Sequence, residues 1–212
     1  MIILGFLKRA TVTEVLASHG YRGSGLTWIR VGENAKHVVE FQVRRHSEKG
    51  VVSFTINLGV VIEAVWTVYY GRASGLKINE ADCFPRFRAG DLMSGEDGRS
   101  RDIWWTIEKE SDDAKVAAAV KACLTDYCLP MLDRLRSIAA VHEWYQATQV
   151  PPKGSFTHAY SQIMWAIVSH LYGDTLRAET TLDAVCANRR LSAEWRVRIA
   201  EVRERLSGAR FG

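Results

Sequence analysis

The sequence contains no uncharged apolar run of about eighteen residues, so no membrane-spanning helix is expected. The N-terminal apolar run MIILGFL precedes Lys8 and Arg9, the reverse of a secretory leader's order, which leads us to expect a cytoplasmic protein. Cysteine is sparse: Cys83, Cys123, Cys128 and Cys186 form no C-x-x-C pair, which argues against a zinc framework or a disulfide scaffold. The six histidines show no H-E-x-x-H spacing, no serine sits in a G-x-S-x-G elbow, and the glycines at 20, 23 and 25 lead into a strand rather than a helix. Neither a metal nor a cofactor is expected. There is also no basic tail: Lys and Arg exceed Asp and Glu by 15 to 13 in residues 1–110 and by 13 to 11 in residues 111–212, so each half carries +2. Acids interleave with Arg44-Arg45-His46 and the other basic runs, which speaks against a nucleic-acid face and leaves nucleic-acid binding as a third reading.

What is present is a large apolar fraction, 47% of 212 residues, centred on the twelve-residue run Val51 to Ile62. Its β-branched content and lack of charge predict a central strand covered on both faces. Before it, Leu26 to Val31 and Ala35 to His46 flank Gly32-Glu33-Asn34 as a hairpin, and Ser47 to Gly50 turns the chain into the central strand. Residues 2 to 18 have helical spacing, with Tyr21 to Gly25 as a loop. Glu63 to Tyr70 reads as helix and residues 82 to 90, with Pro85, as an edge strand or extended arm. Ser94 to Asp102 reads as a polar loop and Ile103 to Ile107 as a further strand.

From Asp112 the apolar period becomes helical, and Pro130 is expected to interrupt that helix before another runs from Met131, or from Ser137 as a cap, to Gln146. Val150 to Ser155, with two consecutive prolines, is the predicted linker. Helices are then expected at Thr157 to Tyr172, Asp174 to Arg189 and Ser192 to Leu206, the first two joined as a hairpin through Gly173-Asp174. The expected fold is α+β: a mostly antiparallel sheet of about five strands with flanking helices over residues 1–149, and a C-terminal appendage of three helices over 150–212.

The candidate site residues follow from strand geometry. Arg86 and Arg88, two apart on an extended segment, would present both guanidinium groups to one face, able to grip a phosphate or carboxylate together. The alternative is structural pairing with Asp82, Asp91 or Glu40. Trp104 and Trp105 would face opposite ways, one into the core and one outward as an anchor for a partner, with core filling by both as the plainer reading. Arg44 joins these as a candidate contact. Cys123 and Cys128, five apart on a helix, are expected on different faces as small buried hydrophobes.

The combination of Phe54-x-x-Asn57-x-Gly59, Cys83-x-x-Arg86-x-Arg88-x-Gly90-x-Leu92 and Trp104-Trp105 resembles a bacterial family, domain of unknown function 4304, over about residues 8–136. The resemblance brings no activity with it; it implies a small accessory protein, some of whose relatives look like immunity partners of toxins. Two functions from different classes are therefore expected. The first is a non-enzymatic protein-binding module, in its specific form an immunity (antidote) protein that neutralises a bacterial toxin; the second is a binding protein or enzyme for a small anionic ligand held by Arg86 and Arg88. Nothing in the residues fixes the oligomeric state.

Overall fold

A computed structural model describes residues 2–9, 12–44, 51–93, 102–108, 113–148 and 158–208. The chain divides into two compact units, residues 1–60 with 79–134, and residues 61–78 with 135–212. The second unit thus begins at Leu135 and takes in Val61–Ile78, a piece the sequence reading keeps with the first 149 residues. The linker predicted at 150–155 lies outside the described residues, as do the turn at 47–50 and all of the loop at 94–102 except Asp102.

The first unit is built on a sheet in the order β1 (Arg22–Ser24), β2 (Thr27–Val31), β3 (Ala35–Val43), β4 (Val52–Ile62) and β5 (Arg86–Arg88), with β6 (Trp105–Ile107) pairing β4 beside β5. The pairings of β1 with β2, β2 with β3, and β4 with β5 and β6 are all antiparallel, so the architecture is α+β with a mostly antiparallel sheet. The strand expected at 51–62 is the buried centre. Its Gly59 is required by packing, because a β-carbon there would stand 2.3 Å from Cys83 Cβ and 2.5 Å from its Sγ. The predicted loop at 21–25 is instead strand β1, which comes so close to its neighbour that a β-carbon on Gly23 would lie 2.3 Å from the Thr27 carbonyl oxygen.

The segment expected as one helix over 2–18 forms two, α1 (Ile2–Arg9) and α2 (Val12–Ser18). The α1 side chain Phe6 packs on Phe54 of β4 at 5.8 Å between ring centroids, and Phe41 and Trp105 complete the cluster. After β5 comes the short α4 (Ala89–Leu92), and α5 (Asp113–Cys123) leads to α6 (Leu129–Arg134). Pro130 does not break this run. The backbone widens over Leu124–Cys128, where the Leu129 N–H donates to the Leu124 carbonyl five residues back, and the proline enters without stopping the helix. Arg30 on β2 ties the sheet to α6 through Asp133.

The second unit holds α3 (Glu63–Tyr70), α7 (Ile138–Thr148), α8 (His158–Tyr172), α9 (Thr175–Ala187) and α10 (Ala193–Gly208). Ser137 caps α7 by accepting from the Ala140 N–H at 3.2 Å, and Asp174 caps α9 by accepting from the Arg177 N–H at 3.2 Å after Gly173 turns at φ +105°. Ile199, Val202 and Leu206 form the buried stripe of α10. Arg205 pairs with Glu201 at 3.3 Å and also reaches inward. Its Nη1 donates to the carbonyls of Val68 and Tyr69 at 2.9 Å each, and Arg198 Nη1 donates to Tyr69 at 3.2 Å, so two arginines close the C-terminal end of α3.

Candidate functional site

The two sides of the sheet follow from period two. Val39, Phe41, Phe54, Ile56, Leu58 and Phe87 alternate with Glu40, Gln42, Ser53, Thr55, Asn57, Arg86 and Arg88, so one face is apolar and the other is a polar lawn. Register fixes the polar rows: Asn57 stands opposite Arg88, Gly59 opposite Arg86, and Ser53 opposite Thr106, whose hydroxyl lies 3.0 Å from that of Ser53.

Arg86 and Arg88 do share a face, as their spacing predicts, yet they meet different carboxylates. Buried Arg86 brings Nε to 3.3 Å from Glu80 Oε1, and the Glu80 N–H donates to Glu40 Oε2 at 3.0 Å. Burial pushes the Glu80 carboxyl above its usual range, offset in part by Arg86 and reinforced by Glu40. Arg88 is half-exposed; Nη1 donates to Asp102 Oδ1 and Nη2 to Gln42 Oε1 at 3.2 Å, while Asn57 Nδ2 donates to the same Gln42 oxygen at 2.9 Å.

Trp104 and Trp105 separate as strand geometry requires. Trp105 is buried and stacks on Phe54 at 5.8 Å, which makes it core. Trp104 instead joins the polar face: its indole lies under Arg44 at 4.8 Å and under Arg88 at 5.6 Å, and its Nε1 donates to Asp102 Oδ2 at 2.9 Å. The structure therefore brings together Arg44, Arg88 and Trp104 of the predicted set, leaves Arg86 beside them in a buried ion pair, and removes Trp105 to the interior.

Gln42, Asn57 and Asp102 belong to this group and were not selected as site residues from sequence. Period two marks Gln42 and Asn57 as companions of Arg44 and Arg88, a signal that was available. Asp102 gave none, since it reaches the cluster from an irregular segment.

The protonation states on and beside this face follow from local surroundings. The indole hydrogen bond, followed by the Arg88 guanidinium, holds the Asp102 carboxyl below its ordinary value of 3.8, so it is ionised near neutrality and a weak proton acceptor. Cys83 is buried, and desolvation followed by the charge of Glu80 pushes its thiol well above its usual value, away from nucleophilic use. Among the described residues the buried Thr55 Oγ1 and Asn57 Oδ1 of this face find no hydrogen-bond partner. Among the described residues no group of three or more His, Cys, Asp or Glu side chains could hold a metal, and no helix is long and apolar enough to cross a membrane. In the second unit a hollow of about 440 Å³ is lined by Leu182, Leu206, Asp183 and Arg203, the last two paired with each other.

An α+β sheet module with an arginine–tryptophan cluster on its polar face is the class that fold and site define. Residues 12–134, more than half of the chain, match the family model described as Domain of unknown function (DUF4304), and the chain belongs to that family. The matched stretch ends at Arg134, where the first compact unit also ends. No curated protein and no solved structure matches the chain.

The motif residues quoted above make physical sense together. Gly59 and Cys83 interlock, Asn57 and Arg88 share Gln42, and Phe54 stacks on Trp105 while its neighbour Trp104 lies under Arg88.

Proposed function

We propose that this chain is a non-enzymatic protein-binding module whose docking face is the cluster of Arg44, Gln42, Arg88, Asp102 and Trp104. The observation that carries the reading is Trp104 with the guanidinium groups of Arg44 and Arg88 over its ring and its indole nitrogen fixed by Asp102. Tryptophan and arginine contribute most of the energy at protein interfaces, and a side chain already held in place loses less entropy when a partner covers it. An anionic ligand gripped jointly by Arg86 and Arg88 is the weaker reading, because Glu80 and Asp102 already stand against those two cations.

The specific form of the proposal is an antidote role, in which the partner is a bacterial toxin neutralised by being covered. The family resemblance motivates that form. The test is co-expression with the product of the adjoining open reading frame, followed by affinity capture and a toxicity assay. Retention of that product by the native chain, with loss of about tenfold or more in affinity for Trp104→Ala and Arg88→Ala, supports the docking face. Relief of toxicity supports the antidote form. Failure to retain the product overturns the antidote form, and retention unaffected by both substitutions overturns the docking face.

A further inference from the structure

The widened turn ahead of Pro130 overturns the expectation that Cys123 and Cys128 face different ways. A regular α-helix advances about 100° per residue, which would set residues five apart about 140° from one another. Over Leu124–Cys128 the hydrogen bond instead spans five residues, so the fifth residue closes one turn and stacks over the first. Both thiols are fully buried, and their sulfurs lie 3.6 Å apart. A disulfide needs about 2.05 Å, so an approach of about 1.5 Å would join them. The other two cysteines lie elsewhere: Cys83 packs on Gly59, and Cys186 lies on α9 of the second unit.

We propose that Cys123 and Cys128 are an oxidisable dithiol, a modification site whose oxidant is a small peroxide and whose product is an intrahelical disulfide. The Cys123 thiolate attacks one oxygen of hydrogen peroxide; the O–O bond breaks, the departing hydroxide takes a proton to become water, and Cys123 becomes a sulfenic acid. The Cys128 sulfur then attacks that sulfur, the S–O bond breaks, and the thiol proton leaves with the hydroxide as a second water. Two electrons pass from the sulfur pair to the peroxide. The order of attack follows from the environment, since the hydrogen bond from Cys128 holds the Cys123 thiol below its usual value while Cys128 itself is pushed well above. Peroxide is small enough to reach thiols that larger disulfides would not.

The test uses the full native chain treated with hydrogen peroxide, alkylated in denaturant and digested with trypsin, which places both cysteines in the peptide of residues 122–134. The expected result is a peptide about 2 Da lighter that resists alkylation and is restored by dithiothreitol, with Cys83 and Cys186 still alkylated. Both thiols remaining alkylatable, or lost only as sulfinic or sulfonic acid, would overturn the proposal. A second measurement avoids any folding defect of a variant. At equilibrium in a glutathione buffer the native chain should hold this disulfide about tenfold or more strongly than the urea-unfolded chain, and equal strength in both would overturn the role of the turn.

Discussion

The two faces of the central sheet use the same strands to different ends. On the apolar face Phe6, Phe41, Phe54 and Trp105 are buried and pack ring against ring. On the polar face the side chains are just as closely drawn together, but by hydrogen bonds and guanidinium contacts that leave Thr55 Oγ1 and Asn57 Oδ1 unsatisfied and Trp104 and Arg44 within reach of solvent. The difference shows how one set of strands can carry an apolar side and a polar side held together by different forces. Unmatched buried polar atoms are not confined to one side, since Trp28, opposite Val39 of the apolar face, also buries its Nε1 without a hydrogen-bond partner among the described residues.

Removing the centre of the apolar face should produce the largest effect. Phe54→Ala is expected to cost about 3–5 kcal/mol in urea unfolding, since it deletes a fully buried ring with three aromatic neighbours. A loss below 1 kcal/mol would mean that this face is not the stabilising one. Next comes the interlock between strand and loop: Gly59→Ala drives a β-carbon into Cys83 and is expected to cost about 2–3 kcal/mol. Adding Cys83→Gly removes both clashing atoms, so the double variant should recover most of that loss in the same measurement.

The polar face should respond in the opposite direction at its buried centre. Thr55→Val keeps the shape and removes a hydroxyl that has no partner, and a gain of about 1 kcal/mol is expected by chemical denaturation. A loss of similar size would show that the hydroxyl is satisfied by water. The smallest effect concerns acid. The Asp102 carboxyl is depressed in the folded state, so its contribution is present above the ordinary value of 3.8 and disappears as pH falls through the lower folded value. Asp102 is largely exposed, so solvent screening limits the contribution to about 0.5 kcal/mol or less. The check is the acid limb of a stability profile, which Asp102→Asn should flatten.

Much of this contrast can be read from residue order. The uncharged run at 51–62, the hairpin around Gly32 to Asn34, and the Gly173-Asp174 junction each carry a local cause: β-branching, turn chemistry, or a cap. The parting of Trp104 from Trp105 follows from pleating alone. What stayed hidden depends on the third dimension or on backbone irregularity. Asp102 reaches Arg88 from a segment without period, Arg205 finds carbonyls more than a hundred residues earlier, and the sulfur pair relies on a helix departing from its usual pitch. Periodic reasoning assumes regular elements, and the departures are where it fails.

The arginines that close the end of α3 bear on where this protein can be cut. The stretch of residues 12–134 includes α3 but stops well short of Arg198 and Arg205. A fragment trimmed to that stretch would leave the carbonyls of Val68 and Tyr69 without their distant donors, so the end of α3 should fray and expose Tyr69. The family stretch ends where the first unit ends but carries α3 of the second unit without its partners, so a piece that keeps α3 should keep the last helix as well.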